Sequence, residues 1–412
     1  MEINLSKPDI TEAERQAVLD VLASGRLSLG PYLERFENAV ADYVNAKYAV
    51  AVSSGTAGLH LSLLVSGVKP GDHIITTPFS FVASANVILY VGARPVFVDV
   101  EPDTGNISPE AIEKKIKDEY VHCDGAWVCW KDGRRLRGIL PVHVFGYPCR
   151  MDEITEIARK YNLMVIEDAC EAMGSFYFSK SRNRWLHAGT IGMAGVFAFY
   201  PNKQITTGEG GVLVSDDGEI ARLVRSLSNQ GRDDMGTWLV HPRLGYNYRM
   251  DEMSAALGFV QMGRIEELRA KRRKVAALYN EFLKGIEEIE VPPEKPYAEV
   301  NPFVYVVKLR IPGRDELMNH LVSNGIGTRP YFTPIHLQPY YSERFGFRKG
   351  MFPVAESLGE TCFALPFYND LTEKEVSYVA ERIKDWLSTK RTTIRRTKED
   401  EKTKEAFETK PL

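Results

Sequence analysis

Tyr48-Ala49-Val50-Ala51-Val52-Ser53-Ser54-Gly55-Thr56-Ala57-Gly58-Leu59 passes from five residues suited to a buried strand, through a turn of small residues, into an apolar helix. That is the start of a βα unit, a strand followed by its helix, and the pattern recurs. Short apolar runs at Pro95 to Val100, Ile139 to Phe145, Leu163 to Ile166, Val196 to Tyr200 and Gly211 to Val214, with His73 to Thr76, are each long enough for one buried strand. Helical segments separate most of them. Thr11 and Glu14 make a capping box with Gly25 as the stop, while Leu33, Phe36, Val40, Tyr43 and Val44 share one helical face. Ser108-Pro109 opens another helix, and Met151 to Tyr161 forms one more. This alternation predicts an α/β fold whose large domain, residues 1–250, holds a mainly parallel sheet between helices.

Two regions depart from that pattern. Residues 118–138, with Trp127, Cys129, Trp130, a Lys131-Asp132-Gly133 turn and then three arginines, read as a hairpin inserted at the surface. Its tryptophans suit edge-strand packing better than a partner contact. A long helical pattern from Asp251 to Lys284 leads to Pro292-Pro293-Glu294-Lys295-Pro296, after which the organisation changes. Residues 251–388 are expected to hold the linking helix and a smaller C-terminal α+β domain. There the alternation around Tyr305, Val307 and Leu309 predicts a half-exposed strand, and Thr372 with Glu375 caps the last helix. Residues 389–412 are mostly charged or Thr and are expected to be a disordered or marginally helical tail.

The chain has 412 residues, 44% hydrophobic and 26% charged, with a formal net charge of −3. That balance argues against nucleic-acid binding, a basic membrane-surface protein and a disordered chain. No run approaches the ~20 apolar residues needed to cross a bilayer, and the first residues lack a signal-peptide pattern, so a cytoplasmic location is expected. The five cysteines are odd in number and hold no C-x-x-C pair, so neither a disulfide framework nor a metal site is expected.

Three features could carry chemistry. Small residues at Ser53 to Gly58 let backbone N–H groups and a hydroxyl converge on an anion at a helix N-terminus, although a plain βα turn reads the same way. Asp168 ends a buried strand, where open α/β sheets hold ligands; a helix cap is the alternative, and Glu167 should point to the opposite face. Lys203 lies between an aromatic-rich strand and a Gly-rich one, where an amine kept from water is a nucleophile towards carbonyls; otherwise it is a solvated loop lysine. No G-x-G-x-x-G follows the first strand, and no P-loop motif occurs. Together, an anion nest, a strand-end carboxylate and a strand-flanked lysine suit pyridoxal phosphate: phosphate in the nest, ring nitrogen on the carboxylate, Schiff base on the lysine.

With these residues in view, the chain resembles the DegT/StrS nucleotide-sugar aminotransferases, pyridoxal-phosphate enzymes of the aspartate-aminotransferase fold. The resemblance spans Asn4 to Leu387 and rests on Ser53 to Thr56, Pro78 to Phe81, Pro141 to Gly146, Ile166 to Ala169, Asn202-Lys203, Thr206 to Gly211, Gly245 to Arg249 and Pro334 to Gln338. It implies that Lys203 is the Schiff-base lysine and Asp168 the partner of the pyridine nitrogen. Gly55 and Thr56 would form the phosphate loop, and Phe81 would stack on the cofactor. Asn247 would reach the phosphate of a neighbouring subunit, which implies a homodimer with shared active sites. Arg329 and His336 lie in a stretch that lines the substrate side in relatives. Two positions differ from many members: Ala198 stands where a phosphate-binding serine is common, which leaves Asn202 or backbone groups to replace it, and Glu171 stands where glutamine or histidine approaches the phenolic oxygen.

The implied activity is transfer of an amino group from an amino acid, L-glutamate by family habit, to a nucleotide-linked keto-sugar, for aminosugar, polysaccharide or natural-product glycan biosynthesis. Pyridoxamine phosphate would be the intermediate form of the cofactor. The alternatives are an aminotransferase for cyclitol ketones, a pyridoxamine-dependent sugar dehydratase, against which Lys203 counts, and a non-catalytic regulatory homologue.

Overall fold

The computed structural model describes residues 1–233 and 240–408, with side chains as far as Thr392. Its large sheet contains all seven expected strands: β1 (Tyr48–Val52), β2 (His73–Thr76), β3 (Arg94–Phe97), β4 (Leu136–Leu140), β5 (Met164–Asp168), β6 (Ala194–Ala198) and β7 (Gly211–Ser215). Their order is β1-β7-β6-β5-β4-β2-β3. β7 alone runs against its neighbours β1 and β6, while β6, β5, β4, β2 and β3 pair in parallel. β1 is therefore parallel to β6, and the C-terminal ends of β1, β2, β5 and β6 meet along one sheet edge.

Side-chain alternation explains why this sheet must be covered on both faces. Val50, Val52, Ile74, Leu140, Ile166, Val196 and Leu213 enter one apolar cluster. Ala49, Ala51, Phe197, Val212 and Val214, with Ile75, Ile139 and Val165, enter the clusters on the other face. A strand buried on both sides reads as a continuous apolar run, which is why these strands are legible.

Thr11 and Glu14 close the expected capping box on helix Glu12–Ser24, and Gly25 ends it at φ 68°. Several boundaries differ from expectation. The long helical pattern is two helices, Glu252–Gly263 and Ile265–Leu283, broken at Arg264 (φ −108°, ψ 5°). Arg264 leaves the helix interior while its guanidinium pairs with Asp9 at 2.9 Å and Glu14 at 2.6 Å. The second helix joins the two parts of the molecule: Leu268 packs in the large-domain core, and Val275, Tyr279 and Leu283 in the C-terminal one.

The hairpin pairs Tyr120–Cys123 with Ala126–Cys129, but its tight turn is Asp124-Gly125 (φ 49° and 76°) rather than Lys131 to Gly133. Lys131 to Gly133 instead turns the chain back toward β4, closed by Gly133 N–H donating to Cys129 O at 2.8 Å. Trp127 packs edge-on against Tyr161, while Trp130 is exposed and donates its indole N–H to Asp118 O.

In the C-terminal region a four-stranded antiparallel sheet is ordered Ile289–Glu290, Tyr305–Leu309, Cys362–Leu365, Arg329–Pro330. Tyr305–Leu309 is not half-exposed, because both of its faces are covered. Tyr305, Val307 and Leu309 face the C-terminal core, and Val306 packs with the large-domain core. The start of the chain crosses over as well: Ile3 is buried in the C-terminal core and exchanges backbone hydrogen bonds with Gly325 and Gly327 at 2.8 Å. The last helix runs Glu373–Glu408 and so takes in most of the charged tail; residues 409–412 lie outside the described residues.

Candidate active site

The C-terminal edge of the large sheet gathers residues from four separate segments. Asp168, the last residue of β5, is 4% exposed. Its Oδ2 accepts the Ser84 hydroxyl at 2.6 Å, and its Oδ1 accepts the Cys170 N–H at 3.1 Å. Bonds of this kind give a carboxylate a set direction. Ser84 comes from helix Ala83–Tyr90, reached through the loop after β2.

Glu167 points to the other face, as strand alternation requires. There it accepts from His143 Nε2 at 2.9 Å and from the N–H groups of Gly189, Ile191 and Gly192. Burial would push its carboxyl up, but His143 and these N–H groups outweigh it and hold the group below the usual range. Glu167 thus ties the loop before β6 in place and leaves Asp168 to face the site.

Lys203 sits in the turn between β6 and β7, its N–H bonded to Tyr200 O at 2.9 Å. Its Nζ is 3.4 Å from Glu171 Oε1 and 4.1 Å from the centroid of the Phe303 ring. Glu171 is 5% exposed and its Oε2 accepts the Phe145 N–H at 2.8 Å. Burial raises its carboxyl above the usual range, and the charge of Asp168 adds to this, against the opposing pull of Lys203 and the Phe145 N–H. Tyr331, against Phe145 and Phe303, is pushed up to about 12 by burial and by Glu171.

The Lys203 loop is held from beneath by Arg272, which is 3% exposed. Its guanidinium donates to the carbonyls of Asn202 (3.1 Å), Lys203 (3.3 Å) and Phe303 (3.2 Å) and to Asn369 Oδ1 (3.0 Å). Burial lowers its pKa to about 10. Gln204 braces the same loop by donating to the carbonyls of Glu171 and Asn301 at 2.5 and 2.9 Å.

Helix Gly55–Val65 begins at this edge. Ser54 Oγ accepts from the Ala57 N–H and Ser54 O from the Gly58 N–H, both at 3.1 Å. The N–H groups of Gly55 and Thr56 and the Thr56 hydroxyl have no partner among the described residues. A Cβ at Gly55 would lie 2.6 Å from the Cβ of Ala198 and 2.8 Å from Cys170 Sγ, so glycine is needed for the helix to approach β6 this closely. Cys170, wedged between this helix and Asp168, is partly buried, and desolvation of its thiol holds its pKa well above the usual value.

Lys203, Asp168, Glu171 and Gly55 are thus brought together, with Thr56 beside Gly55. Asn202 contributes its backbone, while its Oδ1 is buried without a partner. Phe81 lies at the mouth, 61% exposed, beside a groove of about 790 Å³ shared with Tyr90, Phe332, Tyr340, Tyr341 and Arg344. Asn247 is exposed on a stretch that runs along the end of β1, where Tyr248 O accepts the Ser53 N–H at 2.8 Å. No contact between Asn247 and the Lys203 cluster is found among the described residues. Arg329 is exposed, whereas His336 is buried, bonded to Glu356 at 2.9 Å and packed on Phe352. Ser84, Arg272, Phe303 and Tyr331 carry no motif of their own; only the fold brings them to the site.

The residues fit pyridoxal phosphate. Unpartnered N–H donors at a helix N-terminus suit a phosphate, a fixed carboxylate suits a pyridinium N–H, and a half-enclosed amine suits an aldehyde.

Comparison with known proteins agrees with this chemistry. The model of the DegT/DnrJ/EryC1/StrS aminotransferase family matches residues 8–384. GDP-perosamine synthase of Escherichia coli O157:H7 is 34% identical over 94% of this chain and 99% of its own. Among solved structures, S. venezuelae DesV in complex with a ketimine intermediate is 31% identical, covers 93% of this chain and 98% of its own, and superposes with a TM-score of 0.82. Helicobacter pylori PseC, an aminotransferase involved in the biosynthesis of pseudoaminic acid, is 26% identical, covers 93% and 99%, and superposes at 0.83.

Proposed function

Because the chain belongs to the DegT/DnrJ/EryC1/StrS aminotransferase family, we propose that it moves an amino group from an amino acid, L-glutamate, to a keto-sugar carried on a nucleoside diphosphate, using pyridoxal phosphate. The observation that carries this reading is the convergence of Lys203, Glu171, the Ser84–Asp168 pair and the Gly55 helix end on one sheet edge. Relatives described as GDP-perosamine synthase and as an aminotransferase of pseudoaminic acid biosynthesis support a sugar as acceptor.

When bound, the cofactor supplies an electron sink that stabilises charge on the carbon being deprotonated. The chain's residues do the rest. Asp168, held by Ser84, fixes a proton on the ring nitrogen. The Gly55 and Thr56 N–H groups hold the phosphate. Lys203 Nζ takes the α-proton of the amino donor and later delivers a proton to the former carbonyl carbon of the acceptor. Glu171 lies beside that amine as a second titratable group. Phe81 covers one side, and the aromatic groove next to it, with Arg344 at its rim, accommodates the nucleotide end of the acceptor.

Asn247 is exposed, and its side chain makes no hydrogen bond among the described residues, which supports a homodimer in which it reaches the neighbouring subunit's phosphate. Among the described residues no helix is long and apolar enough to cross a membrane, and the site of action is proposed to be the cytoplasm. Borohydride reduction of the cofactor-loaded protein followed by peptide mapping tests the core of this reading. The label is expected on Lys203; a label on another lysine, or none, overturns it. A screen of nucleotide-linked 3-keto and 4-keto sugars with glutamate then identifies the acceptor.

A further inference from the structure

Remote in sequence from Lys203, the inserted hairpin brings three potential ligands to one edge of the large sheet. His73 opens β2, Cys129 ends the second hairpin strand, and Asp132 lies in the turn that follows. Their ligand atoms all lie within 4.8 Å of one another. His73 is 3% exposed. Its Nδ1 is 2.9 Å from the Tyr120 hydroxyl, and its Nε2 lies 3.3 Å from Asp132 Oδ2 yet has no hydrogen-bond partner. A buried imidazole nitrogen left unpartnered beside a thiol and a carboxylate calls for a physical account.

We propose that His73 Nε2, Cys129 Sγ and Asp132 Oδ2 bind a divalent cation of borderline softness, zinc by its donor set, with water as the fourth ligand. One imidazole, one thiolate and one carboxylate are ligands zinc accepts, and the two anionic ones balance its charge. Bonds of about 2.0–2.3 Å at tetrahedral angles place neighbouring donor atoms about 3.3–3.8 Å apart. The His73–Asp132 separation already has that value at 3.3 Å, and no pair of the three donor atoms is more than 4.8 Å apart.

The surroundings supply the outer support such sites use. In the metal-bound arrangement Tyr120 accepts the Nδ1 proton of His73 across their 2.9 Å contact, which frees Nε2 as a ligand. The Arg134 N–H, donating to Asp132 Oδ1 at 3.2 Å, orients the carboxylate. Arg94 and Arg134 also approach Asp132 Oδ2 at 3.6 and 3.5 Å, but their side chains are 39% and 42% exposed and can turn to water as the cation takes the oxygen. Asp132 is an exposed residue whose side chain is 28% accessible, which gives the cation a way in. The site would pin the hairpin to β2. The competing arrangement, Nε2–H directed at Asp132 with Nδ1 accepting from Tyr120, binds no metal.

The test uses the full chain, stripped with a chelator, loaded separately with Zn²⁺ or Co²⁺ alone and desalted. Elemental analysis is expected to find about one zinc per chain, and the cobalt form a thiolate-to-metal charge-transfer band. Cys129→Ser loses the band. Asp132→Asn, at a partly exposed turn that leaves the fold intact by circular dichroism, lowers zinc affinity at least about tenfold, and Tyr120→Phe lowers it about 10–100-fold. A wild-type chain that keeps no zinc, or variants that keep as much as wild type, overturns the site.

Discussion

The Ser84 hydroxyl donates to Asp168 Oδ2 at 2.6 Å, joining the helix after β2 to the end of β5 across 84 residues of chain. Both groups are buried, so the bond acts where water cannot replace it. A hydrogen bond to a charged group contributes about 1.5–3 kcal/mol. Ser84→Ala is therefore expected to fold, to unfold at lower urea concentration, and to lose about tenfold in kcat/KM as Asp168 loses its direction. Asp168→Asn, which removes the charge itself, should lose far more. A glutamate-coupled assay on both variants checks the order; a Ser84→Ala enzyme as slow as Asp168→Asn would contradict it.

Gly55 carries a second prediction. A methyl group there meets Ala198 and Cys170 inside contact distance, and neither neighbour has a flexible end to move aside. Gly55→Ala should cost about 1–3 kcal/mol of stability through overpacking. The helix end would also retreat from the site, so cofactor retention after gel filtration should fall more than stability alone explains. Retention equal to wild type would mean that the phosphate is held elsewhere.

Arg272 is a buried cation that bonds to three carbonyls and one carboxamide. Arg272→Met removes the charge but leaves those carbonyls without donors, a loss of about 1–3 kcal/mol for each group left unpaired. The carbonyls of Asn202 and Lys203 are among them, so kcat should fall together with stability. Arg272→Lys keeps a cation but cannot span four acceptors with one ammonium. It is expected to be intermediate in activity, and full activity in Arg272→Met would show that the Lys203 loop holds itself.

Much of this architecture is legible in the chain because buried parallel strands and capped helices leave local marks. The seven strands stand out as apolar runs, and Thr11 with Glu14 marks a helix start. Lys203 and Asp168 are legible because each lies next to such a strand. Ser84, Arg272, Phe303 and Tyr331 are not, since their roles come from tertiary neighbours rather than spacing. The same limit hid the burial of both faces of Tyr305–Leu309, because only packing reveals that Val306 meets the large-domain core. His73 and Cys129, 56 residues apart in the numbering of this chain, likewise carry no metal-ligand spacing.

Glu171 gives the sharpest pH test. Burial raises its carboxyl above the usual value of 4.5, and the charge of Asp168 adds to the rise. For a carboxyl shifted upward, the folded state binds the proton more tightly than the unfolded one. Its contribution to stability is therefore complete below the ordinary carboxylate value and is lost as pH rises through the raised one. Glu171→Gln has no proton to lose at this position, and its carboxamide oxygen can still accept the Phe145 N–H. Between pH 4.5 and 8, wild type should thus lose stability relative to Glu171→Gln, with the gap opening at higher pH. Urea unfolding of both proteins without cofactor measures this directly. Parallel pH profiles would show that Lys203 and the Phe145 N–H together cancel the cost of burying the Glu171 charge.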